Sequence, residues 1–202
     1  MNLCNIHFHK NAEHKGPDFS VYKGKGDHGG YACNQSPERA KYSVKKFGKG
    51  ACKGIEAGDT IEVHWVHSSC DIKPGPTLGA CLNDTCKNPK LRVETQVFYV
   101  VNDRKAPSFL DYTKLVKKNG FHQASRVPAR DGAVEFLGSK TGPKYNNTCS
   151  PFRVSWSVTP DCKTVDIATV HEWCKQNDFK EDHAHGVREL VEDPNMLSPI
   201  SI

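Results

Sequence analysis

Apolar and polar positions alternate most clearly over residues 59–67, Asp-Thr-Ile-Glu-Val-His-Trp-Val-His. A period of two with β-branched residues in the apolar places predicts a strand, and it sets Glu62, His64 and Val66 on one face. Residues 91–101, Leu-Arg-Val-Glu-Thr-Gln-Val-Phe-Tyr-Val-Val, predict a second strand, and 3–9, 133–137 and 152–158 three more. Ser108 is suited to an N-cap, so a short helix is expected through Val116 and closed by Gly120. Residues 166–176 also read as helical. Residues 15–57 are rich in Gly, Lys and Asp with weak periodicity, and 70–90 form a Pro/Gly/Cys loop. The pattern is that of a mainly β protein with short helices. It is expected to be one domain over 1–202, with 15–57 as a long cysteine-containing insertion.

Composition narrows the class. The net charge of +5 is mild and the lysines are scattered, as in Lys45-Lys46 and Lys117-Lys118, so no nucleic-acid partner is expected. No apolar stretch is long enough to span a membrane. Nine cysteines are many for 202 residues, and none forms a CxxC pair, so disulfides are expected rather than a second metal cluster. Disulfides place the chain in an oxidising space, periplasmic or secreted. No basic segment followed by an apolar run opens the sequence, so a signal segment is expected to lie outside it. Asn34, Asn83 and Asn146 each begin an Asn-x-Ser/Thr triplet, a spacing that chance also produces.

The candidate chemistry sits in His7-Phe8-His9, followed by Glu13-His14, and in Glu62-Val63-His64-Trp65-Val66-His67. Histidines at i and i+2 on a strand point the same way. A third from a neighbouring strand completes a face of three imidazoles. Such a face with a fourth position open is a catalytic zinc site, which makes hydroxide from water near neutral pH.

These segments resemble the α-type carbonic anhydrase site, which reads roughly His-Phe-His-x-x-x-Glu-His and then Glu-x-His-x-Val-His. Here the matching stretches are His7 to His14 and Glu62 to His67. Asn147-Thr148-Cys149-Ser150-Pro151, followed by Val154 to Val158, looks like that family's threonine–proline turn and tryptophan strand. The interval between His14 and His64 is far longer than in the α class, and the stretch before the first ligand is far shorter. The opening Cys-Asn-Ile-His-Phe-His-Lys-Asn-Ala-Glu-His-Lys-Gly and the closing Leu-Val-Glu-Asp-Pro-Asn-Met-Leu-Ser-Pro are similar to δ-class carbonic anhydrases.

The resemblance implies a central twisted, mostly antiparallel sheet carrying one Zn2+. It implies reversible hydration of carbon dioxide to bicarbonate and a proton. His7, His9 and His64 would be the ligands. Glu62 and Asn5, each two residues before a ligand on the same face, would accept from the outer imidazole nitrogens, with His14 as the buried partner of Glu62. Glu13 would accept the hydroxyl proton of Thr148, whose oxygen orients the nucleophile. Val66 and Trp156 would form an apolar wall for the substrate. His67 is left structural. His28 and His122 are candidates for a proton carrier only as histidines outside the ligand set, and no carrier is named. The oligomeric state is open.

Two other classes share features of the pattern. His7-x-His9-x-x-x-Glu13 fits half of a cupin site, with Glu13 as an iron or manganese ligand, but no Pro-x-Gly-x-x-His second half follows. A non-enzymatic relative that keeps the fold as a binding module would lose a ligand histidine, and this chain keeps all three.

Overall fold

The computed structural model describes residues 1–129, 131–138, 154–187 and 190–191. In chain order the strands and helices are β1 (Asn2–Lys10), β2 (Val21–Tyr22), β3 (Tyr31–Ala32), α1 (Pro37–Ala40), β4 (Thr60–Ser68), β5 (Leu91–Val101), α2 (Leu110–Thr113), β6 (Leu115–Lys118), β7 (Phe121–Ala124), β8 (Val134–Gly138), β9 (Val154–Asp166) and α3 (Ile167–Lys175). The protein is mainly β with three short helices. Its central sheet runs β1-β4-β5-β9-β8, with every pair antiparallel except β5–β9.

The two faces of this sheet have different jobs. Phe8, Trp65 and Phe98 project from one face and meet Phe109, Val170 and Trp173, so α3 and the turn before α2 close the main core there. Each such side chain contributes roughly 1.5–3 kcal/mol on burial. The opposite face carries His7, His9 and His64. A bulge at Cys4 changes the phase of β1, so that Leu3 joins the core while Asn5, His7 and His9 turn to the other side. There they lie opposite Val66, His64 and Glu62 of β4.

Three local expectations are revised. The helix expected over Ser108–Val116 is a single turn, Leu110–Thr113. After it, β6 and β7 form a hairpin whose turn is Asn119-Gly120, with φ of 52° and 83°. Positive φ at both central residues is the type I′ requirement, so this glycine closes a hairpin and not a helix. The strand expected to end at 158 continues through Pro160 to Asp166. The ladder with β5 breaks register between Thr95 and Val97, just beside that proline, so its missing N–H removes no ladder bond. Helix α3 then starts at Ile167, capped by Asp166, whose carboxylate accepts from the Ala168 N–H at 3.2 Å.

Four disulfides join Cys4–Cys81, Cys33–Cys162, Cys52–Cys174 and Cys70–Cys86. Cys149 lies outside the described residues. The two bridges from the 15–57 segment tie it to β9 and α3, and close loops of 129 and 122 residues. On the chain-entropy account, a loop of that size restricts the unfolded state by roughly 4–5 kcal/mol. The segment also packs on α3 directly. His171 accepts the Cys52 N–H at 3.0 Å on Nδ1 and stacks on Phe47, with Gly50 so close that a Cβ would stand 2.2 Å from the ring. Among the described residues, no helix is long and apolar enough to cross a membrane.

His67 lies on the core face of β4, fully buried, paired across the ladder with Arg92. Among the described residues, no hydrogen bond of good geometry engages either of its ring nitrogens. Burial lowers its pKa from 6.5 to about 4; Glu94 and a weak hydrogen bond with the Trp65 backbone oppose that shift and Arg92 adds to it. The unfolded chain therefore binds a proton that the folded one refuses between those two values. Folding stability falls as pH drops from 6.5 through 4, by about 3 kcal/mol from this residue alone. The melting temperature of His67→Phe should depend less on pH than that of the parent across that window. Equal slopes would show that His67 is not the acid-sensitive group.

Candidate metal centre

Strand pairing brings the three histidines together. His7 on β1 is in register with His64 on β4, and His9 is one pleat further along β1 on the same face. One ring nitrogen from each of the three lies within 4.8 Å of the others. The ring centroids are 5.5 Å (His7–His9), 5.0 Å (His7–His64) and 5.0 Å (His9–His64) apart.

Each ring is oriented by an acceptor on its far side. His7 Nδ1 donates to Asn5 Oδ1 at 2.7 Å. His64 Nε2 donates to Glu62 Oε1 at 2.8 Å. His9 Nδ1 donates to the Gly186 carbonyl at 3.1 Å, with Glu13 Oε1 at 3.4 Å behind the same nitrogen. An imidazole that donates from one nitrogen keeps a lone pair on the other. The inward atoms are therefore His7 Nε2, His9 Nε2 and His64 Nδ1. Of these, His7 Nε2 and His64 Nδ1 stand 3.3 Å apart. Two lone pairs facing at that distance repel unless a cation or proton lies between them. Ligands 2.0–2.1 Å from a tetrahedral zinc are about 3.4 Å apart, so the donor set fits such an ion.

Glu62 is fully buried between two imidazoles, for His14 Nδ1 also reaches its Oε2 at 3.0 Å. Burial pushes this carboxyl up. The electrostatic attraction and hydrogen bond of His14, a weaker electrostatic contribution from His9 and a hydrogen bond from the Glu13 backbone together bring it below its ordinary value. It thus stays ionised and accepts on both oxygens. Glu13, Glu62 and His64 also have donor atoms within 4.8 Å of one another.

Beside His7 and His64 is a small cavity walled by Val66, Leu91, Val93, Val154 and Trp156. The Trp156 ring stands edge-on to His64 at 5.2 Å, and 5.6 Å from His14. Val66 and Trp156 therefore lie beside the triad. Thr148 and its neighbours Asn146 and Ser150 lie outside the described residues.

Sequence reasoning missed the segment that covers the edge of β1. Residues 183–187 run beside β1 in an extended conformation, with His185 N–H donating to the Phe8 carbonyl at 2.9 Å and Lys10 N–H to the His185 carbonyl at 2.9 Å. This segment brings the Gly186 carbonyl to His9 and sets the His185 ring 5.8 Å from His7 and 6.0 Å from His9. A histidine pair at 183 and 185 was the one available signal.

No curated protein and no solved structure matches the chain. A family model described as Delta carbonic anhydrase matches residues 1–169. That span holds His7, His9, Glu62 and His64, so the chain belongs to the delta carbonic anhydrase family.

Proposed function

We propose that the protein hydrates carbon dioxide reversibly to bicarbonate and a proton, with Zn2+ held by His7 Nε2, His9 Nε2 and His64 Nδ1. The observation that carries this reading is the pair of inward lone pairs on His7 and His64, 3.3 Å apart, while their outer nitrogens are engaged by Asn5 and Glu62. Bound zinc supplies water acidified to a pKa of about 7. Asn5, Glu62 and the Gly186 carbonyl fix the three tautomers, and His14 holds Glu62 in place. Val66 and Trp156 exclude water from the wall beside the triad, where an apolar substrate is favoured. As the resemblance implies, Glu13 would accept a hydrogen bond from the Thr148 hydroxyl, leaving Thr148 Oγ1 to act as an acceptor that orients the nucleophile. The disulfides suit work in a periplasmic or secreted space.

Purified protein should carry about one zinc per chain by elemental analysis, and chelation should abolish carbon dioxide hydration until zinc is restored. Stoichiometric iron with no hydration would sink the proposal and favour the cupin-like alternative.

A further inference from the structure

Outside the triad, the described residues place two more histidines in the same i, i+2 relation. His183 and His185 are bridged to Lys53 and His9 respectively, so the segment is extended and both rings project to one side of it. Their centroids are 4.6 Å apart. Each has its own carboxylate: His183 Nδ1 to Asp182 Oδ1 at 2.7 Å, and His185 Nε2 to Glu181 Oε2 at 2.7 Å. A carboxylate behind an imidazole fixes the tautomer and raises ring basicity, as it does for metal-bound histidines. The proton is held on His183 Nδ1 and His185 Nε2, so the lone pairs are on His183 Nε2 and His185 Nδ1. Lys53, on the other oxygen of Asp182 at 2.8 Å, keeps that carboxylate in position.

Exposure falls along this row of rings. The His183 side chain is 50% exposed and that of His185 34%; His7 is partly buried, and His9 and His64 are buried. The rings form a continuous row from solvent to the centre, at 4.6 Å and then 5.8 and 6.0 Å. A buried three-imidazole site needs a route by which a hydrated ion sheds water in stages, and an entry path is part of any workable metal site.

We infer that His183 and His185 form an outer divalent-cation site that captures the incoming ion and passes it to the buried triad. Two imidazoles with water in the remaining positions suit Zn2+, Cu2+ or Ni2+ and not Mg2+ or Ca2+. With two protein ligands against three, the outer site is the weaker one. The passing-on rests on the triad being a metal centre; the binding does not.

The experiment uses the untagged full chain and Zn2+ itself. Equilibrium titration against a chelating dye should show one tight and one weak equivalent, and stopped-flow mixing gives the rate of uptake by the metal-free protein. His183→Ala should lose the weak equivalent, keep the tight one and take up zinc several-fold more slowly, with an unchanged circular dichroism spectrum. In the same assay, His64→Ala should keep the weak equivalent. A weak equivalent that survives in His183→Ala, or an uptake rate unchanged in that variant, overturns the inference, whatever His64→Ala does to the tight equivalent.

Discussion

Replacing His64 by alanine should leave a folded protein without tight metal and without measurable carbon dioxide hydration. His64 is the ligand contributed by β4, and its Nδ1 is 3.3 Å from His7 Nε2. Its loss leaves two imidazoles from a single strand, which cannot close a tetrahedron with an open fourth position. The same change strands Glu62, since one of its oxygens loses its donor at a site with no solvent access. A buried carboxylate with half its partners costs stability, by about 1–3 kcal/mol for a lost hydrogen bond to a charged group. Metal content by mass spectrometry and melting temperature should therefore both fall, the first to near zero and the second by several degrees. Zinc retained at full affinity would mean that the third ligand is another histidine, with His14, held against Glu62 on the same face, the first to examine.

The second large effect belongs to Glu62→Gln, which keeps shape and removes charge. The carboxylate accepts from His64 Nε2 on one oxygen and from His14 Nδ1 on the other. Glutamine offers one acceptor and one donor in that space. If the amide nitrogen faces His64, that ring moves its proton to Nδ1, the atom that should meet the metal. If it faces His14, that ring must move its proton to Nε2, which is buried with no partner among the described residues. The first arrangement opposes binding directly and the second does so by unsettling the His14 contact that holds residue 62 in place; the expected loss in zinc affinity is about 10–100-fold, read by chelator competition. A His14→Phe change on top of Glu62→Gln should recover part of the loss by removing the second claimant. Unchanged affinity in Glu62→Gln would show that the carboxylate does not orient His64.

The strands that carry the triad were legible because alternation and the i, i+2 histidines report the same face twice. Asn5 and Glu62 were legible by the same parity, two residues before a ligand on an extended chain. The Gly186 carbonyl was not. It is a backbone group, present at every residue, and it meets His9 only because residues 183–187 lie along the edge of β1. Gly120 misled for a physical reason: helix ends and type I′ turns both need a residue at positive φ, and only the preceding Asn119 separates the two uses. The strand expected over 152–158 runs on past Pro160 because a proline disrupts a ladder only where its N–H is needed, and the irregular β5–β9 register removes that need.

The distance along the chain between His9 and Gly186, 177 residues, bears on when the candidate metal centre is complete. Ribosomes release the N-terminus first, at about 5–20 residues per second, so His9 precedes its acceptor by roughly 10–35 s. During that interval the His7 and His9 imidazoles exist without the carbonyl that sets one tautomer, and His64 arrives partway through. An ion offered to the growing chain meets a site whose geometry is still unset. The candidate site is therefore complete only once the segment around Gly186 has been made. A chain cut short before Gly186 should lack the His9 acceptor even when its first 169 residues, the whole span of the family match, are intact.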